Sequence, residues 1–206
     1  MIKNYLTIAW RNLLKHKSFS LVNIFGLAIG IAVCLVIFIY VRHELTFDDY
    51  NKNADRIARI TATVHAPEMD IAMAPTPALL GPALQKEYPE VAGAVRLESS
   101  TNTIRVNNEY FREEDFYWTD PTVFTVFNFD VVEGTLKGAL DKPNSIVLTS
   151  TIAKKYFGDG PAHGKIMVSN NENWVVTAVV KDRPANSDLK IDALQYHDFT
   201  KVTEWM

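Results

Sequence analysis

The 206 residues contain a single cysteine, Cys34. An intrachain disulfide is excluded, and cysteine usage says nothing about the redox compartment. No acidic residue occurs before Glu44. His16, His43, His65, His163 and His197 are scattered, with no H-x-x-x-H pair and no cysteine beside them, so no zinc-type ligand set can be read. There is no G-x-S-x-G nucleophile motif. The run Gly158–Lys165, GDGPAHGK, only superficially resembles a phosphate loop. Asp159 stands where the first glycine belongs, Ile166 replaces the Ser or Thr after the lysine, and a strand follows instead of a helix. Glu113, Glu114, Asp115 and Asp120 form an acidic cluster that reads as a solvated loop, not as an acid/base pair. The expectation is therefore no catalysis, no metal and no cofactor.

One long apolar run is present, and no second of comparable length. Leu21–Val41 reads LVNIFGLAIGIAVCLVIFIYV, with Asn23 its only strongly polar side chain. As a helix its roughly 21 residues span about 31 Å, close to the ~30 Å hydrocarbon core of a bilayer. The spacing predicts a transmembrane helix over 20–42. A cleaved signal peptide would have a shorter core and a small-x-small site, which Tyr40-Val41-Arg42 does not offer. A lipoprotein cysteine would need small residues before Cys34, where Ile31, Ala32 and Val33 stand. A helix buried in a soluble core would not explain the charge asymmetry.

That asymmetry is marked. Residues 1–42 carry Lys3, Arg11, Lys15, Lys17 and Arg42 and no acid, leaving 16 bases against 24 acids, about −8, for residues 43–206. An acidic outer domain excludes nucleic acid as the partner, because phosphate neutralisation needs Lys and Arg. Bases before the span and acids after it place the N-terminus in the cytoplasm and the large domain outside, in the periplasm if the source is Gram-negative.

Within 1–19, Ile2, Tyr5, Leu6, Ala9, Trp10, Leu13 and Leu14 recur at helical spacing, with the basic residues mostly elsewhere. Such a helix serves either as a surface helix on the inner leaflet or as a coupling helix against a cytoplasmic protein; the two are compatible. In the span, Asn23, Gly26, Gly30 and Cys34 fall on one face. Gly26-x-x-x-Gly30 lets a second helix approach closely, and a buried Asn can bond across the contact.

Residues 43–206 read as one α+β domain with a mixed sheet. The expected elements are a solvated linker through Asp48–Asn53, a strand over 54–64, a helix over 78–88, a strand over 91–98 and a hairpin turning at Asn107-Asn108. A polar link EEDFYWTD, an aromatic core segment 123–129, a strand–helix pair over 145–157, a hairpin across Asn170–Asn173 and a last strand over 189–194 follow.

Three blocks carry a family resemblance: residues 2–60, Pro143–Lys165 and Trp174–Leu194. The first resembles the N-terminus of MacB/FtsX-like ABC transporter permeases; the other two look like the MacB-type periplasmic core domain. The resemblance implies a porter-like α+β part with an inserted β-rich subdomain, for which residues 102–140 are the candidate. It also implies a chain continuing into three further FtsX-like membrane helices absent here, so the chain looks like a fragment. Membrane lipid, an ATP-binding ABC subunit acting in trans and a homo- or heterodimeric full-length protein in the cell inner membrane are the implied context. The alternative is a self-contained single-pass protein whose outer domain binds or senses a ligand and which dimerises through Gly26 and Gly30.

Overall fold

The computed structural model describes residues 2–65, 67 and 69–199, with the side chains of Ile2 and Leu6 outside the described set. The stretch 200–206, expected as the end of the outer domain, also lies outside it. The chain divides into two units, one up to Phe47 and one from Asp48 onward.

The first unit is two helices, α1 (Ile2–Lys15) and α2 (Lys17–Leu45). α2 is 29 residues long, about 43 Å at helical rise. No residue of it is buried. So much continuous apolar surface is far beyond what a soluble monomer exposes, and α2 is long and apolar enough to cross a membrane.

The second unit is built on a seven-stranded mixed sheet. Its strands are β3 (Leu97–Val106), β4 (Glu109–Thr119), β5 (Val131–Gly134), β6 (Ser145–Thr149), β7 (Ile166–Ser169), β8 (Glu172–Val180) and β9 (Ala193–Tyr196). The order is β5-β8-β6-β9-β4-β3-β7, and β7 also pairs with β8. The ladder from β8 through β6, β9, β4, β3 and β7 therefore returns to β8, leaving few free edges. β6–β8 and β4–β9 run parallel, the other pairs antiparallel. The parallel pair β6–β8 is bridged by α5 (Ser150–Phe157), the long crossover such a pair needs.

Two apolar clusters fill the two faces. Ile146 and Leu148 of β6 join Ile104, Phe116, Met167, Trp174 and the α5 residues Ile152, Ala153 and Tyr156. Val147 points the other way, to Val123, Leu140, Ala178, Val180 and Leu194. β6 is buried at all five positions because both faces are covered. In β8, Trp174 and Val176 face the first cluster while Ala178 and Val180 face the second. The parity changes at Thr177, which the register skips between Ile146↔Val176 and Val147↔Ala178; its hydroxyl donates to Ile146 O at 3.0 Å.

The two tight turns follow their sequence. Asn107 and Asn108 have φ of 49° and 70°, Asn170 and Asn171 φ of 50° and 64°. Asn tolerates this region, and the paired positive φ suits two-residue hairpins. The second hairpin turns on those two residues alone, tighter than the expected 170–173. A separate two-stranded hairpin, β1 (Ala62–His65) and β2 (Asp70–Met73), and the helix α3 (Leu80–Glu87) precede the sheet.

Several expectations shift. EEDFYWTD is not a link but the body of β4, whose acids hide the strand pattern. Residues 91–96 are not strand, and the strand expected over 54–64 starts only at Ala62. The last strand is displaced to 193–196, and a four-residue helix α4 (Val123–Val126) forms within the aromatic segment. The 102–140 boundary does not coincide with a break in the sheet. β4, β5 and the second half of β3 lie in that stretch, and all three are hydrogen-bonded into the same seven strands.

Candidate functional site

Gly26, Gly30 and Cys34 line a shallow apolar groove on α2 together with Leu27, Ile31, Leu35 and Phe38. Asn23 is not among the lining residues; it lies about one turn nearer the N-terminus. A methyl group placed at Gly26 or Gly30 would meet nothing within 4 Å. The groove is open, and among the described residues nothing occupies it.

The second feature begins at Asp48, where the sequence suggests a solvated linker. Asp48, with φ 57°, donates its N–H to Asn186 O at 3.0 Å. Its Oδ1 accepts from Ser187 Oγ at 3.2 Å and Asp188 N–H at 3.3 Å. Tyr50 Oη and Ser187 Oγ are 2.8 Å apart, and Arg183 Nη1 donates to the same phenol oxygen. Asn51 is buried; its Oδ1 accepts from Asn128 N–H at 3.5 Å, and Asn128 Nδ2 donates to Tyr50 O at 3.3 Å. The linker is thus a clasp onto the 183–188 loop. Polar side chains read as solvated because composition cannot show that backbone amides far along the chain use their oxygens.

Arg183 is the centre of this clasp. Its guanidinium carbon lies 5.5, 5.2 and 4.9 Å from the ring centres of Tyr50, Phe127 and Phe129. Its Nε and Nη2 are buried without a hydrogen-bond acceptor, and the three ring faces supply the compensating attraction. Burial pushes the Arg183 pKa down; Tyr50 and Asp48 oppose the shift.

The phosphate-loop lookalike is explained by an internal anion. Glu133 Oε2 accepts from Ala162 N–H and His163 N–H, both at 2.8 Å. The adjacent Gly134, at φ 75°, lies so close to β8 that a Cβ would meet Thr177 O at 2.5 Å.

The acidic cluster is dispersed by the fold. Glu113, its side chain 7% exposed, accepts from Lys155 Nζ at 2.6 Å and Tyr156 Oη at 2.8 Å. Burial first, then the bond to Glu113, pushes the Tyr156 phenol well above its usual range, so it stays a donor. Asp120 forms a two-pronged pair with Arg96, at 2.8 Å to Nε and 2.5 Å to Nη2, while Glu114 is exposed. Asp192 has its pKa raised by burial, then by Asp115 and Glu113. The histidines stay apart: His65 pairs with Asp70 at 2.7 Å, and His197 stacks on Trp118 at 4.8 Å. Among the described residues no group of three or more His, Cys, Asp or Glu could hold a metal ion.

Comparison with known proteins follows this geometry. The family model described as MacB-like periplasmic core domain matches residues 20–204. A domain described as belonging to a permease protein of Porphyromonas gingivalis is 21% identical, covers 62% of this chain and 55% of its own, and superposes with a TM-score of 0.53. The periplasmic region of MacB from Actinobacillus actinomycetemcomitans, 21% identical, covers 54% and 51% with a TM-score of 0.43. The extracellular domain of the noncanonic ABC-type transporter YknZ from Gram-positive bacteria, 20% identical, covers 52% and 54% with a TM-score of 0.40. The chain thus spans about half the length of each structure it matches. A comparison with curated proteins returned no match. The family match extends over most of the chain, from the start of the apolar helix through the closed sheet, and on that ground the chain belongs to the MacB-like periplasmic core domain family.

Proposed function

We propose that this chain is the N-terminal part of the permease subunit of an ABC transporter of the MacB/FtsX type. In this reading α2 crosses the cell inner membrane with the N-terminus cytoplasmic, and the sheet domain stands in the periplasm. A separate ATP-binding subunit hydrolyses ATP, and further FtsX-like helices of a dimeric permease complete the membrane part. The chain carries no hydrolytic chemistry of its own; it passes a movement across the membrane to substrate handled on the periplasmic side.

The observation that carries the reading is the family match over residues 20–204, which takes in both the apolar helix α2 and the sheet domain. Within the second unit, Asp48 is fixed to the 183–188 loop by three hydrogen bonds, Tyr50 adds contacts to Arg183 and Ser187, and Asn51 bonds Asn128. The open Gly26–Gly30 groove supports a second helix beside α2.

The test is co-purification in mild detergent of the protein made from its complete gene with the ATP-binding subunit. Stable association, with ATP hydrolysis that changes when Tyr50 and Arg183 are replaced, is expected. A folded permease that neither binds the subunit nor alters its hydrolysis overturns the reading.

A further inference from the structure

α1 and α2 are separated by one residue. His16 (φ −114°, ψ 57°) interrupts the helix between Lys15 and Lys17. Its N–H still donates to Asn12 O at 3.1 Å, and Ser20 N–H donates to His16 O at 2.9 Å. The Ser20 hydroxyl donates to Leu13 O at 3.1 Å, satisfying one of the open carbonyls at the end of α1. The apolar run begins at Leu21, four residues into α2 and so about 6 Å along its axis. If α2 spans a bilayer, α1 is held at the surface layer whatever else it touches.

α1 is also two-faced. Tyr5, Trp10 and Leu13 stand on its apolar side, with Tyr5 and Trp10 about two-thirds exposed, at 67% and 65%. By helical spacing, Asn4, Arg11 and Lys15 lie opposite, and Lys3 lies at the border near Trp10. Lys17 follows at once, and no acid occurs until Glu44. Tyr and Trp favour the zone where one end of the ring is apolar and the other wet. An unopposed set of bases on a helix fixed at that depth complements negatively charged headgroups.

We infer that α1 docks on a leaflet containing anionic phospholipid, with Tyr5, Trp10 and Leu13 at the acyl boundary and Lys3, Arg11, Lys15 and Lys17 at the phosphates. The recognised chemistry is headgroup charge. This deepens the proposed function, since it rests on α2 being a membrane span, and it makes α1 a fixed footing for that span.

The test uses the whole chain in vesicles of phosphatidylcholine alone or mixed with phosphatidylglycerol. In a Cys34→Ser background, a spin label is attached at Leu13→Cys or at Asn4→Cys. Its exposure to oxygen and to a water-soluble nickel chelate reports depth. With phosphatidylglycerol present, the Leu13 label should sit at acyl depth and the Asn4 label at the headgroups. The docked-to-free ratio should fall roughly fivefold for each of Lys3, Arg11 and Lys15 changed to Gln, and Arg11→Lys should retain it. A Leu13 label in water in both vesicles overturns the proposal. Equal depth with and without phosphatidylglycerol overturns the anionic preference, and protection of the label only by a cytoplasmic protein assigns the face to that protein instead. Failure of the chain to float with either vesicle removes the membrane reading itself, a separate result.

Discussion

Tyr50 Oη lies 2.8 Å from Ser187 Oγ, joining residues 137 positions apart at the point where the chain has just left α2. The same phenol oxygen accepts from Arg183. Tyr50→Phe keeps the ring against Arg183 and removes both bonds, so it should cost about 1–3 kcal/mol. Arg183→Ala also removes the cation from three rings and should cost more. Urea unfolding of the detergent-solubilised chain measures both, and hydrogen exchange should rise first over 46–51 and 183–189.

Asp48 distinguishes conformation from chemistry. Asp48→Asn keeps an acceptor and tolerates φ 57°, so its effect should stay below ~1 kcal/mol. Asp48→Ala loses the acceptor for Ser187 and Asp188 and bears the left-handed strain, so it should cost about 2 kcal/mol or more. A cost for Asp48→Ala below ~1 kcal/mol would show that the carboxylate is not an anchor.

Glu113→Ala leaves the buried Tyr156 hydroxyl without its acceptor. Lys155 can still reach water, its side chain being 41% exposed, which discounts the ion-pair share. A loss of about 2–3 kcal/mol is expected, most of it from the stranded hydroxyl. The double variant Glu113→Ala, Tyr156→Phe should recover part of that loss in the same unfolding measurement.

Asp192 sets a pH dependence. Its carboxyl pKa is raised in the folded chain, so between the ordinary carboxylate value of about 4 and the raised value the folded state holds a proton that the unfolded state has lost. The contribution favours folding at low pH and is lost as pH rises through the folded pKa. Asp192→Asn should therefore stabilise the chain at neutral pH, with the gain shrinking as pH falls toward about 4. A gain independent of pH would contradict the assignment.

Gly134→Ala meets a positive φ and Thr177 O at 2.5 Å. A cost of about 2–4 kcal/mol is expected. Because Glu133 is its neighbour in β5, amide exchange at Ala162 and His163 should rise with it. Gly26→Ile with Gly30→Ile should by contrast leave the folded chain unchanged, since both sites are open. If a second helix packs there, the pair should abolish its cross-linking to α2.

The sequence is most informative where pattern and element coincide. The apolar run Leu21–Val41, the paired asparagines at 107–108 and 170–171, and the run SIVLTSTIAKKYF each announce a structure set by local chemistry. It is least informative where polar residues do structural work. Glu113, Asp115 and Asp120 look like one solvated loop, yet Glu113 goes inward to Lys155 and Tyr156, while Asp120 closes on Arg96. Aspartates and asparagines over 48–53 look equally wet, and Asn51 is buried.

Sequence by itself determined that this chain has one membrane-length helix, a basic side and an acidic side, and a mixed-sheet domain, because length, charge and periodicity are properties of consecutive residues. Only the tertiary structure decided that β3 pairs with β7 and so closes the ladder, that Glu133 fills the apparent phosphate loop, and that Asp48 and Tyr50 grip Arg183 and Ser187. Each of these joins partners far apart in sequence, and a hydrogen bond over such a separation depends on where the fold carries both groups, which no local pattern encodes.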